Sequence, residues 1–314
     1  MNHRNLQNTL FENSLEIENS MKQMSIQEFP FVSVVIPSVN RKNHLENCLH
    51  SLVGVDYPQS KLEIIVVDGG SSDGTIAMVK TDFENVKLLV EQKHNISYAR
   101  NIGGNAAYGE IIAFTDDDCI VDKEWVRSIV HAFHNENVSA AGGSVNLLHP
   151  NLFSPNFAEL PTLGLFSLGN KECSTDLLIS ANFAVRKKLF ETLKFDLLFG
   201  QRSSLKYKWE EDVEYCNRLF DSGHKLMYVP TAIVYHDVDS QRIGFKYIIS
   251  KEFFGGLSHY MVQRKRESRI ILGLHSLRSL AGTLVLFYEH RSIKNFCFLI
   301  KTAAMVLASA FLFW

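Results

Sequence analysis

Three consecutive carboxylates, Asp116, Asp117 and Asp118, close the run EIIAFTDDD at residues 110–118, after an apolar stretch and before a helix that begins near Trp125. Adjacent acids repel one another unless a cation sits among them. In an extended backbone alternate side chains share a face, so Asp116 and Asp118 are expected to point into one cleft while Asp117 turns away. Such a pair suits an octahedral Mg2+ or Mn2+, which takes one or two carboxylates and completes its shell with water and substrate phosphates. A loop that is merely acidic is the other reading of the triplet alone.

The elements that position these acids alternate. Residues 32–36, 62–67, 86–90 and 110–115 read as short apolar strands, and residues 43–52, 75–80 and 97–107 read as helices between them. This βαβα order predicts a mainly parallel sheet with helices on both faces, and ligands bind such sheets beyond the carboxyl ends of the strands. Those ends are polar here: PSVNR at 37–41, DGGSSD at 68–73, and the triplet. Further on, residues 177–185 are expected as a strand, 211–222 as an amphipathic helix, and 226–229 and 233–235 as two more strands.

With 314 residues, 46% of them hydrophobic, the chain is long enough for one large domain with appendages. A net charge of −2 argues against nucleic acid as a partner. Residues 242–314 nevertheless hold eleven Lys and Arg against three acids, which leaves an acidic body and a basic, apolar tail. The tail is expected to be drawn to an anionic membrane surface, with the cluster Arg264, Lys265 and Arg266 beside the headgroups. Its last stretch, Phe296 to Trp314, would span ~28 Å as a helix, against a hydrocarbon core of roughly 30 Å. Residues 270–287 include His275 and Arg278 and read as an interfacial helix. The expected location is the cytoplasmic face of the cell membrane, peripheral or held by this C-terminal anchor. Cys48, Cys119, Cys173, Cys216 and Cys297 form no CxxC pair, so neither a disulfide framework nor a zinc site is indicated. Residues 1–30 are expected to form a polar, flexible lead-in without a signal peptide, 31–240 the main domain and 241–314 the helical tail.

Several ordered segments together resemble the family-2 glycosyltransferases of the GT-A fold: VSVVIPSVNR, IIVVDGGSSDGT, SYARNIGGNAAYGEIIAFTDDDC, SANFAVRKKLF and EEDVEYCNRLFDSGHKLMYVPTAIVYH. The resemblance covers roughly Phe31 to Asp237. It implies inverting transfer of a sugar from a nucleotide donor to a hydroxyl of a glycan or lipid-linked acceptor, assisted by Mn2+ or Mg2+. It places Pro37, Ser38, Asn40, Asp68, Arg100 and Asp116 on the nucleotide. A UDP-sugar is favoured, with GDP- or TDP-sugars as the other carriers. Asp116, Asp118 and His236 fall at the metal positions, and Asp212 at the position of the base that takes the acceptor's proton. Ser180, Asn182, Trp209 and Glu211 fall on the acceptor side. Asp73 and Glu210 have a simpler reading as helix-terminal acids. Val39 stands where the family usually has an aromatic residue. A phosphatase of the haloacid-dehalogenase type and a non-catalytic nucleotide-binding scaffold are the alternatives.

Overall fold

The computed structural model describes residues 29–152, 163–203, 206–208, 210–239, 244–267, 269–290 and 293–311; the lead-in at 1–28 and Trp209 lie outside them. Strands β1 (Val32–Ser38), β2 (Leu62–Asp68), β3 (Lys87–Val90) and β4 (Ile111–Phe114) alternate with helices α1 (Lys42–Val53), α2 (Thr75–Asp82) and α3 (Ile96–Ala106). Next come β5 (Cys119–Val121), α4 (Trp125–Ala132), β6 (Val138–Leu147), β7 (Cys173–Thr175), β8 (Phe183–Arg186) and α5 (Lys187–Thr192). A small hairpin, β9 (Gln201–Ser203) and β10 (Lys206–Lys208), precedes α6 (Glu211–Asp221) and β11 (Lys225–His236). The described residues end in helices α7 (Phe245–Gln263), α8 (Arg269–His290) and α9 (Ile293–Phe311).

The main sheet runs β3-β2-β1-β4-β8-β6-β11-β5, with β7 also on β11. Strands β1 to β4 are parallel, β8 enters antiparallel between β4 and β6, and β6 pairs parallel with β11. Apolar residues alternate to both faces. Leu45 and Leu49 of α1, Val79 of α2 and Ile129 of α4 pack on one side. Phe190 of α5 and Tyr215 and Leu219 of α6 join Phe114 and Phe183 on the other. The carboxyl ends of β1, β2, β4 and β11 thus share one edge, where Ser38, Asp68, the triplet and His236 stand.

Helix α3 lies unusually close to this sheet. A Cβ on Gly103 would fall 2.3 Å from Val35 Cγ1, and one on Gly104 would fall 2.2 Å from Phe190. Only glycines allow that approach, and it presses Arg100, one turn earlier, into the interior.

Two departures from the expected strands have local causes. The 177–185 stretch is broken by a 3-10 turn at Ser180–Asn182, and only Phe183–Arg186 pairs in the sheet. The two late strands are one, β11, because its pairing jumps from Val229↔Gly143 to Ile233↔Ser144 and the intervening residues, including Pro230, bulge out.

The C-terminal helices pack on the main body through charge. Lys265 Nζ contacts Asp196 at 2.5 Å and Glu214 at 2.6 Å, and Arg266 Nη2 contacts Asp221 at 2.5 Å. Lys301 of α9 and His259 of α7 both hold Glu210, at 2.9 and 2.7 Å. The expectation that the basic cluster lies beside headgroups is therefore corrected for Lys265 and Arg266. They answer carboxylates on and near α6, which the separate charge counts of tail and body could not reveal. No described helix is long and apolar enough to cross a membrane. Helix α8 does expose Ile271, Leu274, Leu277, Leu284 and Tyr288 at helical spacing, with Arg278 on the same exposed side.

Candidate active site

The triplet does not follow strand alternation, because β4 ends at Phe114 and Asp117 and Asp118 lie in a turn before β5. Asp117 and Asp118 are both buried, at 6% and 5% exposure, whereas the Asp116 side chain keeps 26% of its surface. The expectation that Asp117 turns away is corrected: its Oδ2 accepts a hydrogen bond from Ser38 Oγ at 2.8 Å, and its Oδ1 lies 3.2 Å from Arg41 Nε. Arg41 Nη2 also donates to Asp118 Oδ2 at 3.0 Å.

The pairing of β5 with β11 sets His236 opposite Cys119 and so brings it beside Asp118. His236 Nε2 lies 3.2 Å from Asp118 Oδ2, while Nδ1 lies 2.7 Å from the Leu163 carbonyl oxygen. A carbonyl only accepts, so Nδ1 carries the proton and Nε2 is the nitrogen aimed at the carboxylate. Beside it lies an open depression of about 400 Å3, lined in part by Asn146, Leu147 and Phe166.

Asp116 turns the other way. Its Oδ1 takes a hydrogen bond from Arg100 Nη2 at 2.8 Å, and Arg100 Nη1 donates to Glu211 Oε1 at 2.7 Å. The Arg100 side chain is 1% exposed and stands over the Phe195 ring at 5.6 Å. The guanidinium spans the two acids, so Arg100 and Glu211 stand together beside Asp116, with Arg100 itself buried. Among the described residues no three His, Cys, Asp or Glu side chains close around one point. Asp118 and His236, 3.2 Å apart, are two side chains of the kind that could hold a divalent ion, whose shell water and phosphate would have to complete.

Asp212 sits in the first turn of α6. Its Oδ2 accepts from Ser180 N at 3.2 Å and from Ser180 Oγ at 3.4 Å, and its Oδ1 from Val213 N at 2.9 Å. Loss of water pushes its carboxyl up to about 6, Glu211 pushes the same way, and Arg100 with the backbone donors opposes them. Glu210, just before, has the left-handed backbone angle φ 67° and caps no helix N–H with its side chain. The contacts with α7 and α9 hold it there.

The predicted nucleotide loops are stitched to each other. Asp68 accepts from Gly70 N and Ser71 N and from Ser71 Oγ, at 2.9, 2.7 and 2.6 Å, and is itself fully buried. The positive φ of 88° at Gly70 makes this turn. Asn40 Oδ1 accepts from Ser72 N at 2.8 Å, and Pro37 lies within β1 opposite Val67. Asp73 accepts from Lys42 N and Thr75 N, capping two helix starts at once.

Asn182 is corrected outright. At 1% exposure it faces the core, where Oδ1 accepts from Trp125 Nε1 at 2.8 Å and Nδ2 donates to the Ser144 and Ala232 carbonyls at 2.9 and 2.8 Å. Asn182→Ala takes a hydrogen-bond partner from three buried polar groups. A loss of about 3 kcal/mol in chemical denaturation is expected, and a loss under 1 kcal/mol would contradict this role.

A curled, mainly parallel α/β sheet with acids and a histidine gathered at its carboxyl edge is the frame of the GT-A fold. The chain belongs to glycosyl transferase family 2, whose profile matches residues 33–193. Similar chains include the glycosyltransferase AglE of Haloferax volcanii, 38% identical over 126 residues, which are 39% of this chain and 41% of that one. A glucosyl-dolichyl phosphate glucuronosyltransferase of the same organism is 24% identical over 240 residues, 72% of this chain and 75% of that protein. The chain thus spans about two fifths of AglE and three quarters of the longer match. Among solved structures, the mannosyltransferase PcManGT from Pyrobaculum calidifontis, in complex with GDP-Man and Mn2+, superposes with a TM-score of 0.57. That superposition covers 96% of this chain and 80% of the other at 17% identity, a likeness of fold. The family match sets aside the phosphatase alternative.

Proposed function

We propose that the protein transfers a sugar from a nucleoside diphosphate sugar to a hydroxyl group, with inversion and with help from Mn2+ or Mg2+. The observation that carries the reading is the Arg100 bridge. One buried guanidinium joins Asp116, at the acidic turn, to Glu211, the immediate neighbour of Asp212. The candidate base is thereby held at the same edge as Asp118 and His236. The diphosphate would lie against the loops that carry Ser38, Asn40 and Asp68, and a divalent ion on Asp118 and His236 would neutralise charge on the leaving group. Asp212 would take the acceptor's proton as its oxygen attacks the sugar carbon from the face opposite the leaving group.

The named substrate of the glucuronosyltransferase relative is a lipid-linked sugar, which supports a lipid-linked acceptor here. The proposed place of work is the cytoplasmic face of a membrane, and the exposed apolar face of α8 supports contact with a membrane surface. A panel of UDP-, GDP- and TDP-sugars with Mn2+, scored for binding and donor hydrolysis, tests the donor assignment. Asp118→Ala is expected to lose donor binding by at least about tenfold, and EDTA should have the same effect on the parent chain. Donor binding that ignores both changes would remove the metal from the reading. The membrane assignment predicts cosedimentation with anionic vesicles, reduced by Leu274→Asp with Leu277→Asp.

A further inference from the structure

Between β1 and α1 the chain passes through Arg41, whose guanidinium lies inside the site. Its Nη2 reaches Asp118 Oδ2 at 3.0 Å, the oxygen that His236 Nε2 approaches at 3.2 Å. The two neighbours are chemically unlike. An imidazole whose Nδ1 donates to a carbonyl presents Nε2 as the nitrogen that could take a metal shared with a carboxylate. A guanidinium has five N–H donors and no acceptor, so it cannot ligate, and a divalent ion on the same oxygen would repel it. One of the two can stay when a metal binds, and Arg41 is the one that must leave.

We propose that Arg41 is an exchange residue: Mn2+ or Mg2+ settling on Asp118 displaces its guanidinium, which transfers to the diphosphate of the donor. The inference rests on the donor-site reading above. Three features support the transfer. Arg41 Nε is buried and makes no hydrogen bond despite its 3.2 Å approach to Asp117, so departure sacrifices little well-formed bonding there. Asp117 keeps the Ser38 hydroxyl at 2.8 Å after Arg41 has gone. The planar fork of a guanidinium matches two phosphate oxygens as well as it matches carboxylates, so its partners are interchangeable in kind. Until substrate arrives, the same guanidinium brings positive charge to two nearly buried acids.

The exchange predicts effects of opposite sign, which a purely structural role would not produce. The full chain is titrated calorimetrically with MnCl2 alone, and then with UDP and with GDP at saturating Mn2+. Arg41→Gln removes the competitor and is expected to bind Mn2+ about tenfold more tightly than the parent. With Mn2+ saturating, it is expected to bind the nucleoside diphosphate about tenfold more weakly. Arg41→Lys keeps the charge but not the fork, and should fall between the two on both measures. Should Arg41→Gln fail to fold, Arg41→Lys decides: Mn2+ affinity no higher than the parent's overturns the exchange. If the parent binds both ligands and Arg41→Gln leaves Mn2+ affinity unchanged or lowered, the exchange is wrong while the donor site stands. A parent that binds neither Mn2+ nor UDP nor GDP overturns the donor-site reading and the exchange with it.

Discussion

Asp212→Asn should bind donor like the parent and transfer sugar about a thousandfold more slowly. The substitution keeps the shape and removes only the capacity to take a proton. The parent's pH profile should carry the signature of that capacity. The Asp212 carboxyl is pushed up to about 6, first by burial and then by Glu211, so the competent, ionised form is scarce in acid. Transfer should fall about tenfold per pH unit below about 6 and level off above it. Stability should show the reverse trend. In the unfolded chain the group titrates near the ordinary value of about 4, so the folded state holds its proton to higher pH, and stability is lost as pH rises from about 4 to about 6. Two pH units correspond to about 2.7 kcal/mol; an amide keeps a single acceptor oxygen, so the hydrogen bonds from Val213 and Ser180 cannot both be kept, and that loss returns about 1. Asp212→Asn should therefore be about 1–2 kcal/mol more stable than the parent in urea at neutral pH, and show no such gain at pH 4. Full transfer by the variant would end the assignment of Asp212 as the base.

Arg100→Met is expected to cost about 3 kcal/mol in stability. The methionine fills the volume but strands Glu211, 12% exposed, and Asp116, 26% exposed, without their common cation. The partial exposure of Asp116 keeps the estimate at the low end for a broken buried pair. Arg100→Lys should recover less than half of the loss, because an ammonium is a point charge and cannot serve two acids held by two separate nitrogens. The change should also reach the chemistry. Arg100 holds the Asp212 carboxyl down, so its removal should move the acid limb of the transfer profile to a pH above about 6. A profile that stays in place would show that the guanidinium acts on stability alone.

Much of this was legible before any coordinate. The parallel half of the sheet announces itself by apolar runs of strand length separated by helical periods, and each polar turn falls at a carboxyl end. Where the backbone departs from regular strand, the residue pattern misleads. The triplet was read with period two, but the turn after Phe114 breaks that period and inverts which acid is buried. Strand β6 carries little strand signal because VSAAGGSVNL is rich in small residues, which seat a central strand against its neighbours but are not β-branched. Asn182 looked like a polar residue at a binding loop, and only the packing of β6, β11 and α4 around it shows an amide filled by three core partners. Arg41 stood in a motif read for its proline and asparagine. The signal that could have found it is chemical: three acids in a row require a nearby cation, and the first loop offers one.

The hold that α7 and α9 keep on Glu210 bears on how the polypeptide may be divided. A boundary near residue 240 looks like the seam between a catalytic body and an optional attachment, and a shortened chain would normally be cut there. Such a cut would strip Glu210 of His259 and Lys301, and Glu214 and Asp196 of Lys265, at the very start of the helix that carries Asp212. Asp221 and Asn217, toward the end of α6, would lose Arg266 with the attachment, and the left-handed Glu210 would lose two of its ion-pair partners. The tail braces the helix that bears the candidate base, so a chain cut near residue 240 is expected to be less stable and to lose transfer.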